Sequence, residues 1–294
     1  MDAFILSYAV VNGLLQGAIY GGVALGLSLI FGVLRVVNFA HGSFLMLSLY
    51  ISFWCWSLLG IDPYLSALIN IPVMFALGYI VQSVIIAPLI KRESAMVVEP
   101  LSALLLTAGV FLVMDNMALM AFGPDVRALQ AAYYVPTIII GGIPISGQRL
   151  IAALAAFAVA GGIAYWLRHS NMGRAIRATA QNRDAAAMSG INVYSVYAMT
   201  FGLGCSVLGL FGSLIAPFLP ISPAIGLAFG IKSFIVVVLG GLGSISGAIV
   251  GGIVIGVFEA VASQFVTATS ASIGSLVLFI LILIFRPQGI MGRA

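Results

Sequence analysis

Charge is what this sequence has least of. Only 7% of its 294 residues are Asp, Glu, Lys or Arg, against about 25% in a typical soluble domain, so a water-exposed surface of ordinary extent cannot be built from it. Cysteine is nearly absent too. Cys55 and Cys205 each lie inside an apolar run, which excludes a disulfide framework or a zinc site and leaves them as buried small side chains. No basic stretch precedes the first apolar run, because Met1-Asp2-Ala3 leads directly into Phe4-Ile5-Leu6. That is not the pattern of a cleaved signal peptide, and the first span is expected to be retained. There is no HExxH, no GxSxG and no clustered nucleophile and base, so an intramembrane enzyme has no support.

What the chain has in abundance is apolar sequence, 62% of all residues, in continuous runs long enough to cross a bilayer, which takes about 20 residues per helix. Backbone in hydrocarbon must satisfy its own hydrogen bonds, and runs that do not alternate point to helices rather than a barrel. The expected fold is all-α, a polytopic transmembrane helical bundle of eight or nine spans, with residues 1–294 forming a single transmembrane domain. The spans are expected near 5–33, 43–60, 64–90, 98–122, 150–167, 193–219, 227–241, 244–266 and 272–285. The seventh is short, and if it is re-entrant the side of the N-terminus changes.

Alternating sides along these spans gathers Arg35, Lys91, Arg92, Arg168, Arg174, Arg177, Arg183, Arg286 and Arg293 on one face and leaves Arg127 and Arg149 on the other. The positive-inside rule makes the basic face cytoplasmic, with the N-terminus outside and the C-terminus inside a bacterial inner membrane. The net charge of +4 then needs no nucleic acid to explain it; the surrounding partner is lipid. Residues 123–149, with Pro124, Asp125, Arg127, Tyr133, Tyr134 and Pro136, are too polar and interrupted to span and form an outer-face segment. Residues 168–192 form the main cytoplasmic loop.

Within the spans, Asn12, Gln16 and Tyr20 recur at four-residue spacing, which puts them on one helix face. Such a stripe must face protein or water; it lines a pathway or joins neighbouring helices. Asp115, Lys232 and Glu259 are ionisable groups inside spans, each costing roughly 2.5–3.5 kcal/mol at a helix centre and so each a functional candidate. For Lys232 the structural alternatives are snorkelling to an interface or pairing with Glu259. His41, in Asn38-Phe39-Ala40-His41-Gly42, falls at the cytoplasmic turn between the first two spans; with no Cys, Asp or Glu at ligand spacing it reads as a hydrogen-bonded structural residue, and no metal or cofactor is expected. Glycines four apart, Gly17 with Gly21, Gly22 with Gly26 and Gly243-Gly247-Gly251, allow close helix approach. Gly240-Gly241-Leu242-Gly243-Ser244 lacks the Lys-Ser/Thr of a phosphate loop, so nucleotide hydrolysis belongs to another chain. In the main loop, Arg174 to Met188 reads as one alanine-rich, basic helix stopped at Ser189-Gly190.

At this loop the chain resembles ABC importer permeases, whose coupling helix carries an EAA motif followed three residues later by Gly; here Asp184-Ala185-Ala186 precedes Gly190, with Asp in place of Glu. Gly17-Ala18-Ile19-Tyr20 through Val37-Asn38-Phe39-Ala40-His41-Gly42, Val238 to Ser244, and Phe285-Arg286-Pro287-Gln288-Gly289 look like permease subunits of the branched-chain amino acid importer family. The resemblance implies an ABC-importer-type permease that supplies half of a translocation pathway. Its partners would be a second, paralogous permease, two cytoplasmic ATPase subunits and an extracytoplasmic substrate-binding protein. It further implies that Arg174, Arg177, Asp184, Ala185, Ala186 and Gly190 meet the ATPase, with Asn12, Gln16, Tyr20, Asn38 and Asp115 as candidate pathway groups. The cargo implied is branched-chain or other amino acids, or related amides such as urea. The competing class is a stand-alone channel or secondary carrier for a small polar solute, in which Asp115, Lys232 and Glu259 bind substrate or a coupling ion. Glycine-rich pieces around 17–42 and 226–251 align as a fragment of an inverted internal repeat.

Overall fold

The computed structural model describes residues 3–89, 101–129 and 135–292; Lys91, Arg92, Tyr133, Tyr134 and Arg293, which figured in the topology above, lie outside the described residues. The expected all-α polytopic bundle is what the chain forms. Its helices are α1 (Ala3–Leu34), α2 (His41–Leu59), α3 (Ala67–Ile80, prolonged by a π-helical turn at Val81–Ile86), α4 (Leu101–Phe122), α5 (Gly147–His169), α6 (Asn171–Gln181), α7 (Arg183–Met188), α8 (Val193–Ile215), α9 (Ile225–Gly240), α10 (Ile245–Ala262) and α11 (Ala268–Phe285). Eight of them are apolar and 18 residues or longer. The ninth apolar helix, α9, has 16 residues, about 24 Å of rise against a hydrocarbon core of about 30 Å.

Long α1 is the axis of the bundle. It packs antiparallel on α10 because both present glycine on the facing stripe: a methyl group added at Gly17 would lie 2.6 Å from the Gly252 carbonyl oxygen, and one at Gly13 2.7 Å from Val257 Cα. With no hydrophobic driving force between helices in lipid, such close backbone approach supplies the dispersion contacts that hold them together. Helix α8 covers another side of α1 and is itself crossed by α3, whose Asn70 lies beside Gly209 and whose Gly78 lies beside Cys205. Both cysteines are buried and free, as expected.

One end of the bundle collects the end of α1, α6, α7, the α9–α10 turn and the C-terminal segment. Ser28 Oγ donates to the Ser244 carbonyl at 3.0 Å, and Ile290 and Met291 donate their amides to Leu239 and Gly240 at 2.8 and 3.0 Å. The opposite end carries the segment after α4, where Arg127 exchanges backbone hydrogen bonds of 2.8 and 2.7 Å with Ile221. There its guanidinium lies over Phe53 and Trp54, 5.4 and 5.1 Å from the ring centres. The same segment holds the sole sheet among the described residues, a hairpin of β1 (Ile138–Ile140) and β2 (Ile143–Ile145). The chain from Ile221 through α9 to Gly240 connects these two ends.

The expected single helix from Arg174 to Met188 is two. Asn182 is extended, φ −150° and ψ 108°, and its side chain accepts from the Asp184 and Ala185 amides, both at 3.0 Å. Asparagine competes with helix continuation by capping the next one, and here the cap wins. The stop is where the glycine predicts it: Gly190 adopts φ +81°, and Ile191 N donates back to Ala186 O at 3.1 Å.

Candidate functional site

The candidate residues fall mainly in two places, on the loop and inside the bundle. On the loop, Ser170 caps α6 by accepting from Gly173 N at 2.9 Å, while Ile176, Thr179 and Ala186 turn inward and anchor both short helices to the bundle. That registration leaves Arg174, Arg177, Asp184, Ala185 and Gly190 exposed, whereas Ala186 is buried. Arg174 donates to Asn171. Met188 was not singled out by sequence reasoning, yet it is 84% exposed on this same surface; an apolar residue at the end of an otherwise anchored helix was the available signal. A groove of about 910 Å³ runs beside the loop, with Arg168 and Arg177 on one wall and Ser244, Ser246 and Met291 on the other.

Inside the bundle the chain does something the hydropathy pattern does not convey. After Leu34 it leaves the helix through Arg35, at φ +54°, and turns back into the protein as non-helical backbone before α2 begins at His41. Thr107 of α4 supports this descent, its hydroxyl donating to Val37 O at 3.1 Å and lying 3.4 Å from Phe39 N. His41, expected at a cytoplasmic turn, is therefore 1% exposed and 3.1 Å from the Val23 carbonyl, about three helical turns back from the end of α1. Irregular backbone at this depth is tolerated because it is buried in protein. Asn38 accepts from Ala40 N at 3.1 Å, and its Nδ2 is buried without a partner.

Helix α2 thus starts within the bundle, and so does α9 on its other side. Gly226 abuts Gly42: a methyl group at Gly226 would stand 3.2 Å from the Gly42 carbonyl oxygen. Ala40 and Ala224 occupy the two N-cap positions and neither helix has a side-chain cap. Asp115 reaches the first turn of α2, accepting from Ser43 Oγ at 2.5 Å; its neighbour Asn116 donates to Leu112 O at 2.8 Å.

The remaining candidates separate. Asn12 donates to Tyr8 O on its own helix at 3.0 Å. Lys232 of α9 pairs with Glu259 of α10, the structural alternative anticipated for it. Tyr20 packs edge-on to Phe229, ring centres 6.3 Å apart, with Lys232 Nζ 5.3 Å from its ring, and its hydroxyl interacts with Gln16 and Glu259. Gln16 and Tyr20 therefore belong to one polar seam of α1, α9 and α10, whereas Asn38 and Asp115 belong to the start of α2. A third polar group went unread in the sequence: Asn70 Nδ2 has Ser48 O, Ser48 Oγ, Ser52 Oγ and Ser213 Oγ at 2.8 to 3.1 Å as acceptors for its two hydrogens, joining α2, α3 and α8. Serines scattered through apolar runs give no periodic signal.

Comparison with known proteins identifies the family of the chain. Residues 9–285 match the family model described as branched-chain amino acid transport system / permease component. The chain is 30% identical to the high-affinity branched-chain amino acid transport system permease protein LivH of Escherichia coli K12, covering 96% of this chain and 94% of that one. It is 31% identical, with the same coverages, to the corresponding permease protein BraD of Pseudomonas aeruginosa. A probable LivH of Methanocaldococcus jannaschii is 28% identical over 92% of this chain and 87% of its own. No solved structure matches.

Proposed function

This multi-pass membrane chain belongs to the branched-chain amino acid transport permease family, and from that premise we propose that it is the membrane subunit of an ATP-driven importer, forming half of a pathway for branched-chain or related amino acids. It is a component of transport rather than a catalyst. Its working partners are a paralogous permease, two ATPase subunits and an external binding protein that selects the cargo. The basic end faces the cytoplasm of a bacterial inner membrane, as the positive-inside rule favours, and the C-terminus lies there with it.

The observation that carries this reading is the rigidly anchored, outward-facing loop surface of Arg174, Arg177, Asp184, Ala185 and Gly190. A docked partner can shift a membrane equilibrium only through contacts that differ between its two states. A short helix pinned by Ala186 below and free above transmits such a push without unfolding. Movement at the loop reaches α1 through the hydrogen bond from Arg35 to the Ala180 carbonyl, and Arg35 opens the descending segment that leads to Asn38 and the start of α2. In this reading Asn38 and Asp115 line the pathway where α2 and α9 begin, and Asn12, Gln16 and Tyr20 lie along its outer reach.

The test is reconstitution of the full transporter with the double variant Asp184→Ala/Gly190→Val. Uptake should be lost while the assembly stays folded and ATP hydrolysis no longer responds to loaded binding protein. Unchanged uptake and unchanged stimulation would remove the docking role. Solute flux through the chain alone in liposomes would instead establish a self-sufficient carrier.

A further inference from the structure

A pocket of about 400 Å³ lies at the basic end, between the last turn of α1, the α6–α7 junction and the first turn of α8. Val33 and Leu34 give it an apolar side, and its polar lining residues are Arg35, Arg183, Thr179, Gln181, Asn182 and Tyr197. The only ion pair among the described residues is Lys232 with Glu259, so neither arginine pairs with a described carboxylate. Both lie close enough to act electrostatically on Tyr197. Asp184 acts on it as well, but is exposed and does not line the pocket.

Two further observations show that this pocket is built for an occupant. The Thr179 hydroxyl is buried, the residue 3% exposed, and has no hydrogen-bond partner; a polar group left so is costly unless something pairs with it. Arg35 is the one non-glycine residue with positive φ among those described. Glycine would hold that backbone without strain, so an arginine there is explained by a use for its side chain. One guanidinium nitrogen donates to Ala180 O at 3.3 Å, closing the carbonyl end of α6, and the planar fork has donors to spare.

We propose that this pocket binds a phosphate group, supplied by the headgroup of a membrane phospholipid. Two forks and hydroxyls around a small cavity suit a tetrahedral oxyanion, which arginine engages through paired charge-assisted hydrogen bonds. The source follows from position: Leu34 and Val193 end and begin two membrane-spanning helices, so the pocket opens at the level where headgroups lie, and its apolar side fits the glycerol part of a lipid. Occupied, the site fastens the α6–α7 junction to α1. The proposal rests on membrane embedding and not on the transport reading.

Native mass spectrometry of the full chain, released from nanodiscs containing phosphatidylglycerol, tests it. Wild type should retain one more phosphatidylglycerol than Arg35→Gln/Arg183→Gln. Arg168→Gln/Arg286→Gln, which removes equal charge from the same end, should retain as many as wild type. Thr179→Val, nearly isosteric and safe for folding, should weaken retention by roughly tenfold, the order expected from losing one charge-assisted hydrogen bond. Equal retention in all variants overturns the proposal. If retention is equal but millimolar inorganic phosphate raises the thermal midpoint of wild type and not of the double variant, the site takes soluble phosphate and the lipid assignment fails. If neither lipid nor phosphate distinguishes the variants, Arg35 serves only as a cap for α6.

Discussion

Most helices that start at the ends of this bundle are built differently from the two that start inside it. Ser170, Asn182, Asn192, Ser244 and Thr267 cap α6, α7, α8, α10 and α11 with their own side chains, whereas α2 and α9 begin at Ala40 and Ala224 with none. A side-chain cap satisfies amides that water would otherwise serve. At an internal start an uncapped first turn instead leaves its partial positive charge for whatever sits opposite it, and at α2 that is Asp115, joined through Ser43. Five end-of-bundle starts are thus self-sufficient, although α3 and α5, at Ser66 and Ser146, lack a side-chain cap, while the two internal starts depend on the rest of the protein.

The largest test of that dependence is Gly42→Val. Its side chain meets the backbone of Gly226, an obstacle no rotamer change relieves, so the cost should exceed the roughly 1–3 kcal/mol of ordinary overpacking. Folded, monodisperse protein should be lost on size-exclusion chromatography; a normal profile would mean that the two helix starts do not need to touch. Next in size is the Lys232–Glu259 pair, which ties α9 to α10. Lys232→Met or Glu259→Gln alone should destabilise by about 3 kcal/mol at most, less where solvent reaches the side chains, since either leaves one group unpaired. The double variant should recover most of the loss in a thermal denaturation cycle. At the loop, Asn182→Ala removes both acceptor bonds to α7 and should cost about 1 kcal/mol, visible as faster amide exchange confined to residues 183–188. Smallest is Ala224→Ser, which adds a hydroxyl at the start of α9. Because Ala224 is helical, φ −70° and ψ −15°, as uncapped Ser66 is, the melting temperature should stay within the equivalent of about 0.5 kcal/mol, and uptake should slow if a bare helix start is used during transport; unaltered uptake would show that it is not.

How much of this could be read beforehand varies with the kind of interaction. The fifth and sixth spans were expected at 150–167 and 193–219 and are found at Gly147–His169 and Val193–Ile215, because hydropathy is a local property. The Gly190 stop was legible for the same reason, as a left-handed position suits glycine. The Lys232–Glu259 pair could be named because ions inside spans need partners. The break at Asn182 was less accessible: asparagine is tolerated in helices, and only packing of Ile176 and Ala186 on the bundle selects the capped, two-helix form. His41 was misplaced because a return of backbone into the bundle depends on Thr107, nearly seventy positions away in the chain, and has no local signature. The Asn70 network likewise exists only once α2, α3 and α8 meet.

By itself the sequence determined that the chain lives in a bilayer, where its spans fall and which end collects its basic residues, since each is set by transfer free energy summed over neighbouring residues or by counting charges. Only the tertiary structure decided that α2 and α9 start against each other, that Arg35 and Arg183 share a pocket, and that Gln16 and Tyr20 part company with Asn38 and Asp115. In lipid, helices are held by close packing and a few polar contacts between residues far apart in sequence, and such contacts leave no periodic trace in the chain.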